Sequence, residues 1–269
     1  MLRVLIAIPI YYREEAGINC ILSLLKTTII PPNVTVTVVM GINLASDEFK
    51  ERVNGLDKTY AGGSMQFSVI DYGKNIGKPA VVNDIASKFP FDYLMSLDGD
   101  MICVDQKWLA GMLGMYTAYN ADPIRSHING KHFGVPMGSL CINQLGNNVH
   151  FLFENSPGAI TKKIGPLTLI TRMGSGRIAG GGLMTDYRTW TTIGGYSTKV
   201  VYGGDDGYYH GECTKRRLLS AYVKEIGFYH PYEMNKEYQA WKIRAINSFC
   251  DIADGLKEGE TEGFKFENT

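Results

Sequence analysis

The sequence predicts an α/β protein with a mostly parallel central sheet, flanking helices and a small antiparallel insertion. Three observations carry this expectation. Residues 4–10, VLIAIPI, are an unbroken apolar run of the kind buried on both faces of a parallel sheet. Such runs alternate with segments whose apolar residues recur at helical spacing, which is the pattern of βαβ units. A further apolar run, DYLMSL, leads straight into Asp98-Gly99-Asp100, so a buried strand stops abruptly at two carboxylates.

The elements follow in order. After the first strand, Ile18, Ile21, Leu22, Leu25 and Ile29 mark a helix that Pro31-Pro32 ends. VTVTVVM (34–40) is the second strand, and Ser46-Asp47-Glu48 opens a short acidic-started helix closed by Gly55. QFSVIDY (66–72) is the third strand. Lys74 to Lys78 form a glycine-containing loop, and Pro79 suits the first turn of the next helix. The acidic strand comes next, then a helix over 105–119. From 120 to 177 the periodicity dissolves into Gly-, Asn- and Pro-rich sequence, with strand candidates at 138–142, 149–153 and 166–171. This is the antiparallel insertion. Gly180 to Gly182 then precede a helix candidate ending at Gly194-Gly195. Gly203-Gly204 lead into Asp205-Asp206 and a helix finishing in Lys215, Arg216 and Arg217. YVKEIGFYH (222–230) is a strand that ends at His230. The tail from 235 starts as an amphipathic helix (Trp241, Ile243, Ile246, Phe249) and turns acidic, Gly-rich and mobile. No segment has the composition of a linker, so 1–269 reads as one domain.

Composition removes several function classes. The chain has 269 residues, enough for a sizeable core, and 27 basic against 27 acidic side chains. No global field therefore draws it to nucleic acid or anionic lipid. The N-terminus reads as a strand, not as a signal peptide, and no segment approaches the roughly 18 apolar residues of a membrane span. The five cysteines are scattered without metal-type spacing, as are His127, His132 and His150. The expectation is a cytoplasmic protein with reduced thiols.

The chemistry concentrates at a few positions. Asp98 and Asp100 at the carboxyl end of a strand lie where open α/β sheets bind ligands, and Gly99 lets both share one divalent cation. Ordinary turn chemistry accounts for the same residues. The consecutive glycines at 180–182 permit close approach of backbone to ligand, or a tight bend. Asp205 and Asp206 cap a helix, or present a general base at a glycine-lined pocket. Lys162, Lys163, Arg172 and Arg177 make the insertion basic. That is a solvated loop, or a flap over an anionic ligand hinged at Gly165, Gly174 and Gly176.

Taken together, IPIYYREE, NIGKPAVVND, DYLMSLDGDM, AGGGLMTDYRTWTTIGGY with the following GGDD, and strand-terminal His230 resemble the family-2 glycosyltransferases and their GT-A relatives. The resemblance covers residues 3–231, with 120–177 matching poorly. It implies a Rossmann-like GT-A fold in which 1–119 binds the nucleotide sugar, 178–234 forms the acceptor and catalytic half, and 235–269 is a C-terminal helix and tail. It further implies Mn²⁺ or Mg²⁺ held by Asp98, Asp100 and His230, and a catalytic base at Asp206 or its neighbour Asp205. Pro9, Tyr11, Asn43, Asp71, Asn75, Lys78, Asn83, Asp98, Gly99, Gly181 and Gly182 become the nucleotide-sugar side. The donor implied first is a UDP-sugar, and transfer is expected to invert the anomeric carbon.

One departure stands out. The family places an acidic pair after the second strand, whereas this chain has Gly41-Ile42-Asn43. Base recognition must then differ, with Asn43 or Asp71 as substitutes. The rival readings are a nucleotidyltransferase and a non-catalytic nucleotide-sugar binder. The first would carry a basic glycine-rich loop where IPIYYREE stands, and the second needs no base. Size and the lack of a membrane segment favour a soluble acceptor. The basic insertion keeps a modified DNA base, as in phage hypermodification, as the alternative.

Overall fold

The unbroken apolar run becomes the spine of the sheet. We describe the fold from a computed structural model, covering residues 1–11, 13–60, 64–121, 135–146, 154, 158–172, 178, 181–199 and 205–231. The first half alternates strictly: β1 (Leu2–Tyr11), α1 (Glu14–Thr27), β2 (Val34–Leu44), α2 (Asp47–Tyr60), β3 (Met65–Asp71), α3 (Lys78–Lys88) and β4 (Tyr93–Leu97). Then come β5 (Ile102–Cys103), α4 (Trp108–Ala121), β6 (Met137–Leu145), β7 (Ala159–Ile164), β8 (Leu167–Arg172) and β9 (Gly182–Asp186). The series ends with α5 (Tyr187–Ile193), α6 (Asp205–Lys215) and β10 (Leu219–Tyr229).

All strands join one ten-stranded sheet in the order β3-β2-β1-β4-β9-β6-β10-β8-β7, with β5 on β10. β3, β2, β1 and β4 run parallel. β9 is antiparallel to both neighbours, and β6 and β10 pair in parallel. Alternate residues feed two cores. Val4, Ile6, Ile8 and Ile10 pack with α1, α2 and α4 on one face. Leu5 and Ala7 pack with α3, α5 and α6 on the other. The chain builds from β1 to β2 and β3 on one side, then crosses to β4 on the other side of β1. That reversal opens a crevice at the carboxyl ends of β1 and β4, the place where open α/β sheets take ligands.

Several elements differ from expectation for identifiable reasons. β2 continues to Leu44 because Gly41 and Ile42 stay paired between β1 and β3, and buried Asn43 bulges before Leu44 rejoins Tyr11. Gly55 does not close α2, which runs through it to Tyr60; glycine weakens a helix interior without ending it. GLMTD, between the glycines and the expected helix, is a strand. It lies between β4 and β6, pairs with both and is buried on both faces. Only Tyr187–Ile193 is helical, opened by Asp186 accepting from the Thr189 N–H and closed by Gly194 at φ 86°. Within the stretch read as irregular, the 138–142 strand candidate is β6, a central strand that runs Met137–Leu145. A Cβ at Gly138 would fall 2.7 Å from Leu218 and 2.8 Å from the Cys213 sulfur, so tight packing selects the glycine. β7 and β8 form an antiparallel hairpin whose second strand pairs with β10 through Leu169 and Ile170, so this part of the expected flap is an anchored sheet edge. The 149–153 candidate, the three histidines of this stretch, Gly174, Gly176, Arg177, Gly180, Gly203-Gly204 and the tail helix lie outside the described residues. Cys20, Cys103, Cys141 and Cys213 are buried free thiols.

The inner face of α6 carries a buried histidine. His210 Nδ1 lies 3.0 Å from Ser139 Oγ, which is 2.9 Å from Ser220 Oγ. Burial pushes the His210 pKa below its ordinary value, outweighing the charges of Asp206 and Asp205 and a hydrogen bond to the Ile178 backbone. The folded state therefore resists protonating a ring that the unfolded chain protonates near pH ~6.5. Stability from this group is complete above that pH and is lost as pH falls through it. In urea titrations between pH 8 and pH 5, the wild-type midpoint should drop more steeply than that of His210→Gln. Parallel slopes would show that His210 takes up its proton equally in the folded and unfolded states.

Candidate active site

β4 stops at the crevice because its next residues turn. The Asp98 N–H donates to the Gly181 carbonyl at 2.8 Å, and the Met101 N–H returns to the Asp98 carbonyl at 3.1 Å. Gly99 is compelled by β1: a Cβ would stand 2.2 Å from Ile10 Cδ1 and 3.2 Å from the Pro9 carbonyl. At Gly181 a Cβ would meet Gln144 Nε2 at 2.7 Å, and at Gly182 it would meet Ile142 Cδ1 at 2.6 Å. The missing side chains at Gly99, Gly181 and Gly182 thus serve chain-to-chain packing, which fixes the carboxylates that the turn projects.

Charged side chains from separate elements meet at this turn. Lys78 begins α3, after an Asn75 side chain that accepts from the Gly77 N–H and a Gly77 at φ 82°. Its ammonium lies 2.6 Å from Asp98 Oδ1 and 2.8 Å from Asp205 Oδ2 at the start of α6. The second contact is ionic; Asp205 Oδ2 is buried and out of line for a hydrogen bond. Arg13, between β1 and α1, pairs with Asp100 Oδ2. His230 Nε2 lies 3.4 Å from the same oxygen. The histidine is carried there by β5, which leaves the acidic turn and pairs Ile102 with Tyr229, and by the His230 N–H donating to the Leu145 carbonyl at 2.7 Å.

Burial sets the electrostatics. Asp100 is 9% exposed and Asp205 4%, whereas Asp206 is half-buried and accepts from the Gly207 N–H at 2.7 Å. Burial raises the Asp98 pKa to about 6, with Asp100 and Asp205 adding to the rise and Lys78 opposing it. Burial alone would lower the Lys78 pKa, but Asp205 and Asp98 hold it well above its ordinary value. The ammonium stays charged.

The structure sorts the sequence-derived residues. Asp98, Asp100, His230, Lys78 and Asp205 converge, with Asp206 at the next position of the same helix. Pro9, Tyr11, Asn43 and Asp71 share one rim, because the register sets Pro9 beside Gly41, Tyr11 beside Leu44 and Asp71 beside Ile42. Asn43 is buried and its side chain accepts from the Ile76 N–H, so it shapes the loop that delivers Lys78. Asp71 accepts from the Gly73 N–H and pairs with Lys50 at 3.0 Å. Asn83 engages backbone. Its amide accepts from the Tyr196 N–H and donates to the Tyr196 carbonyl, both at 2.9 Å, which clamps α3 to the segment following α5. Arg13 was not singled out from sequence; its only signal was a cation immediately after the first strand.

Among the described residues, no three His, Cys, Asp or Glu side chains stand together as a closed metal cage. The donor chemistry nevertheless fits a divalent ion. A carboxylate and an imidazole converge at Asp100 and His230, and Asp98 is one turn position away, held by Lys78.

Neither a protein-family model nor a curated protein matches the chain by sequence. Solved structures do match it in shape. The mannosyltransferase PcManGT from Pyrobaculum calidifontis, in complex with GDP-Man and Mn²⁺, superposes with a TM-score of 0.65 at 17% identity. The match covers 94% of this chain and 65% of that one. S. aureus TarS 1-349 matches at a TM-score of 0.57 and 13% identity, over 97% of this chain and 68% of its own. The TarS complex with UDP-GlcNAc gives the same TM-score and identity, over 97% and 70%. The chain thus spans about two thirds of these proteins' length, and just under that for PcManGT. At such identities the likeness establishes the fold, which is the GT-A architecture implied by the sequence motifs.

The Lys78 bridge has a measurable stability. Lys78→Met would leave Asp205 buried beside an apolar side chain, and breaking a buried pair by removing one partner costs about 3 kcal/mol or more. Urea unfolding should show that loss, and Asp205→Asn added to Lys78→Met should restore part of it. An unchanged midpoint in Lys78→Met would show that the bridge contributes nothing to the fold.

Proposed function

We propose that the protein is a glycosyltransferase that moves a sugar from a nucleotide-sugar donor to an acceptor hydroxyl with inversion. The observation that carries this reading is the convergence of Asp98, Asp100, His230, Lys78 and Asp205 at the switch-point crevice of a GT-A sheet. Asp100 and His230, with Asp98, are the residues that would hold Mn²⁺ or Mg²⁺. When bound, such an ion neutralises charge on the departing diphosphate. Support for a metal comes from this donor set and from the Mn²⁺ in the PcManGT complex.

The chain's own residues divide the remaining work. Asp205 is buried and already in contact with Lys78, so it orients α6 and is poorly placed to take a proton. Asp206 follows it in the first helical turn and is half-buried. We assign it as the base that removes the acceptor proton as the new C1–oxygen bond forms. The rim of Pro9, Tyr11 and Asp71 lies on the nucleoside side. Asn43 is committed to the loop backbone, so Asp71 replaces the family's acidic pair. The first donor to test is a UDP-sugar, followed by GDP-sugars, given the GDP-Man and UDP-GlcNAc bound by the structural neighbours. No helix among the described residues is long and apolar enough to cross a membrane, which suits a soluble acceptor.

A panel of nucleotide sugars with Mn²⁺, read by release of nucleoside diphosphate, tests the activity. Release from no donor at any metal concentration would refute it. Asp206→Asn should keep donor binding and lose transfer by roughly 100-fold or more, the scale of a positioned general base. Transfer near the wild-type rate would return the aspartate to a helix-capping role. Asp100→Asn should melt near wild type while losing metal-dependent donor binding, measured by calorimetry. Retained Mn²⁺-dependent binding would remove Asp100 from the metal set.

A further inference from the structure

Arg13 occupies an unexpected position for a residue beside a carboxylate that would ligate a metal. Its guanidinium pairs with Asp100 Oδ2, the oxygen that also faces His230 Nε2 at 3.4 Å. The two acids that follow it in α1 are engaged elsewhere. Glu14 accepts from Ser46, through its N–H at 2.5 Å and its hydroxyl at 2.7 Å, and Glu15 pairs with Arg52. The Arg13 side chain is about three quarters buried, and Asp100 more so, so solvent screens this pair weakly.

Charge arithmetic at one oxygen drives the inference. A divalent cation bound between Asp100 and His230 and a guanidinium on the same carboxylate repel one another strongly at contact distance. Both can stay only if further negative charge enters with the metal. A diphosphate brings that charge, and a guanidinium matches phosphate oxygens with paired, charge-assisted hydrogen bonds. Building on the nucleotide-sugar reading above, we propose that Arg13 is a donor-binding residue that doubles as the counter-ion of the empty site. Without donor it holds Asp100. When a metal–diphosphate arrives it transfers from Asp100 to the diphosphate. Metal alone is therefore disfavoured, and metal and diphosphate enter as one unit. No covalent bond changes in this exchange.

The coupling can be read without turnover. Binding of Mn²⁺ alone, followed by the electron paramagnetic resonance of free Mn²⁺, should be weak in the wild type and at least ~5-fold tighter in Arg13→Gln. Binding of UDP, and then of GDP, at saturating Mn²⁺ should move the opposite way, at least ~5-fold weaker in Arg13→Gln; this is the lower end of ordinary site-to-site coupling. Arg13→Lys keeps the charge without the paired donors. It should restore weak Mn²⁺ binding and recover only part of the nucleotide affinity. Circular dichroism spectra that match the wild type at the assay temperature exclude misfolding as the cause in both variants. Mn²⁺ binding that is unchanged or weaker in Arg13→Gln overturns the counter-ion role, and unchanged nucleotide affinity overturns the transfer to diphosphate. If the wild type binds neither nucleotide with Mn²⁺, the glycosyltransferase reading falls and this proposal with it. Normal wild-type binding with an indifferent Arg13→Gln removes Arg13 alone.

Discussion

The site depends on how neighbouring carboxylates, most of them buried, are balanced by two cations. Asp98, Asp100 and Asp205 come from a strand end and a helix start that the sheet forces together. Left alone they would repel, and at least one would take up a proton. Lys78 answers this by touching Asp98 and Asp205 at once, and Arg13 does so at Asp100. These cations balance charge, and they also fix geometry. Because Lys78 begins α3 while its partners begin α6 and follow β4, one ammonium ties the first half of the chain to the helix that carries Asp206. A buried ion pair adds little net stability compared with an apolar substitute, so its retention points to specificity of arrangement.

Backbone proximity makes this arrangement possible. β4 lies between β1 and β9, and the turn after it passes so close to Ile10 that only glycine fits at position 99. The same crowding places glycine at 181 and 182, facing Gln144 and Ile142. His230 arrives by a comparable route. The two-residue strand β5 grows directly out of the acidic turn and pairs with the end of β10, which brings an imidazole from late in the chain beside Asp100. Packing sets these positions, and the polar chemistry makes use of them.

Much of this was legible in the sequence, and the parts that were not share a cause. The parallel half read cleanly because its strands are uniformly apolar and its helices carry a regular stripe. Asp98, Asp100 and His230 were visible as strand-terminal polar residues. The middle of β6 was legible at 138–142, but β9 was read as part of a helix, since it opens on glycines selected by neighbouring side chains, and a glycine in a sequence reads as a turn before it reads as a tight contact. Asn83 holds the Tyr196 backbone across 113 residues, a contact that no local pattern announces. Arg13 shows the same limit. Its pairing with Asp100 spans 87 residues, and only the fold brings the two together.

Asp205 and Asp206 show why adjacent identical residues need not share a role. Successive side chains on a helix point about 100° apart, so one of the pair must turn inward when α6 packs against the sheet. Asp205 turns inward and would be an isolated buried charge if Lys78 did not meet it. Asp206 follows it half-buried, accepting from the Gly207 N–H, and its charge acts on His210 and Cys141. The buried member anchors the helix, and that anchoring sets the direction in which its neighbour points. On the proposed reading, Asp205 holds the helix in position through Lys78 and leaves Asp206 as the carboxylate offered to an acceptor hydroxyl.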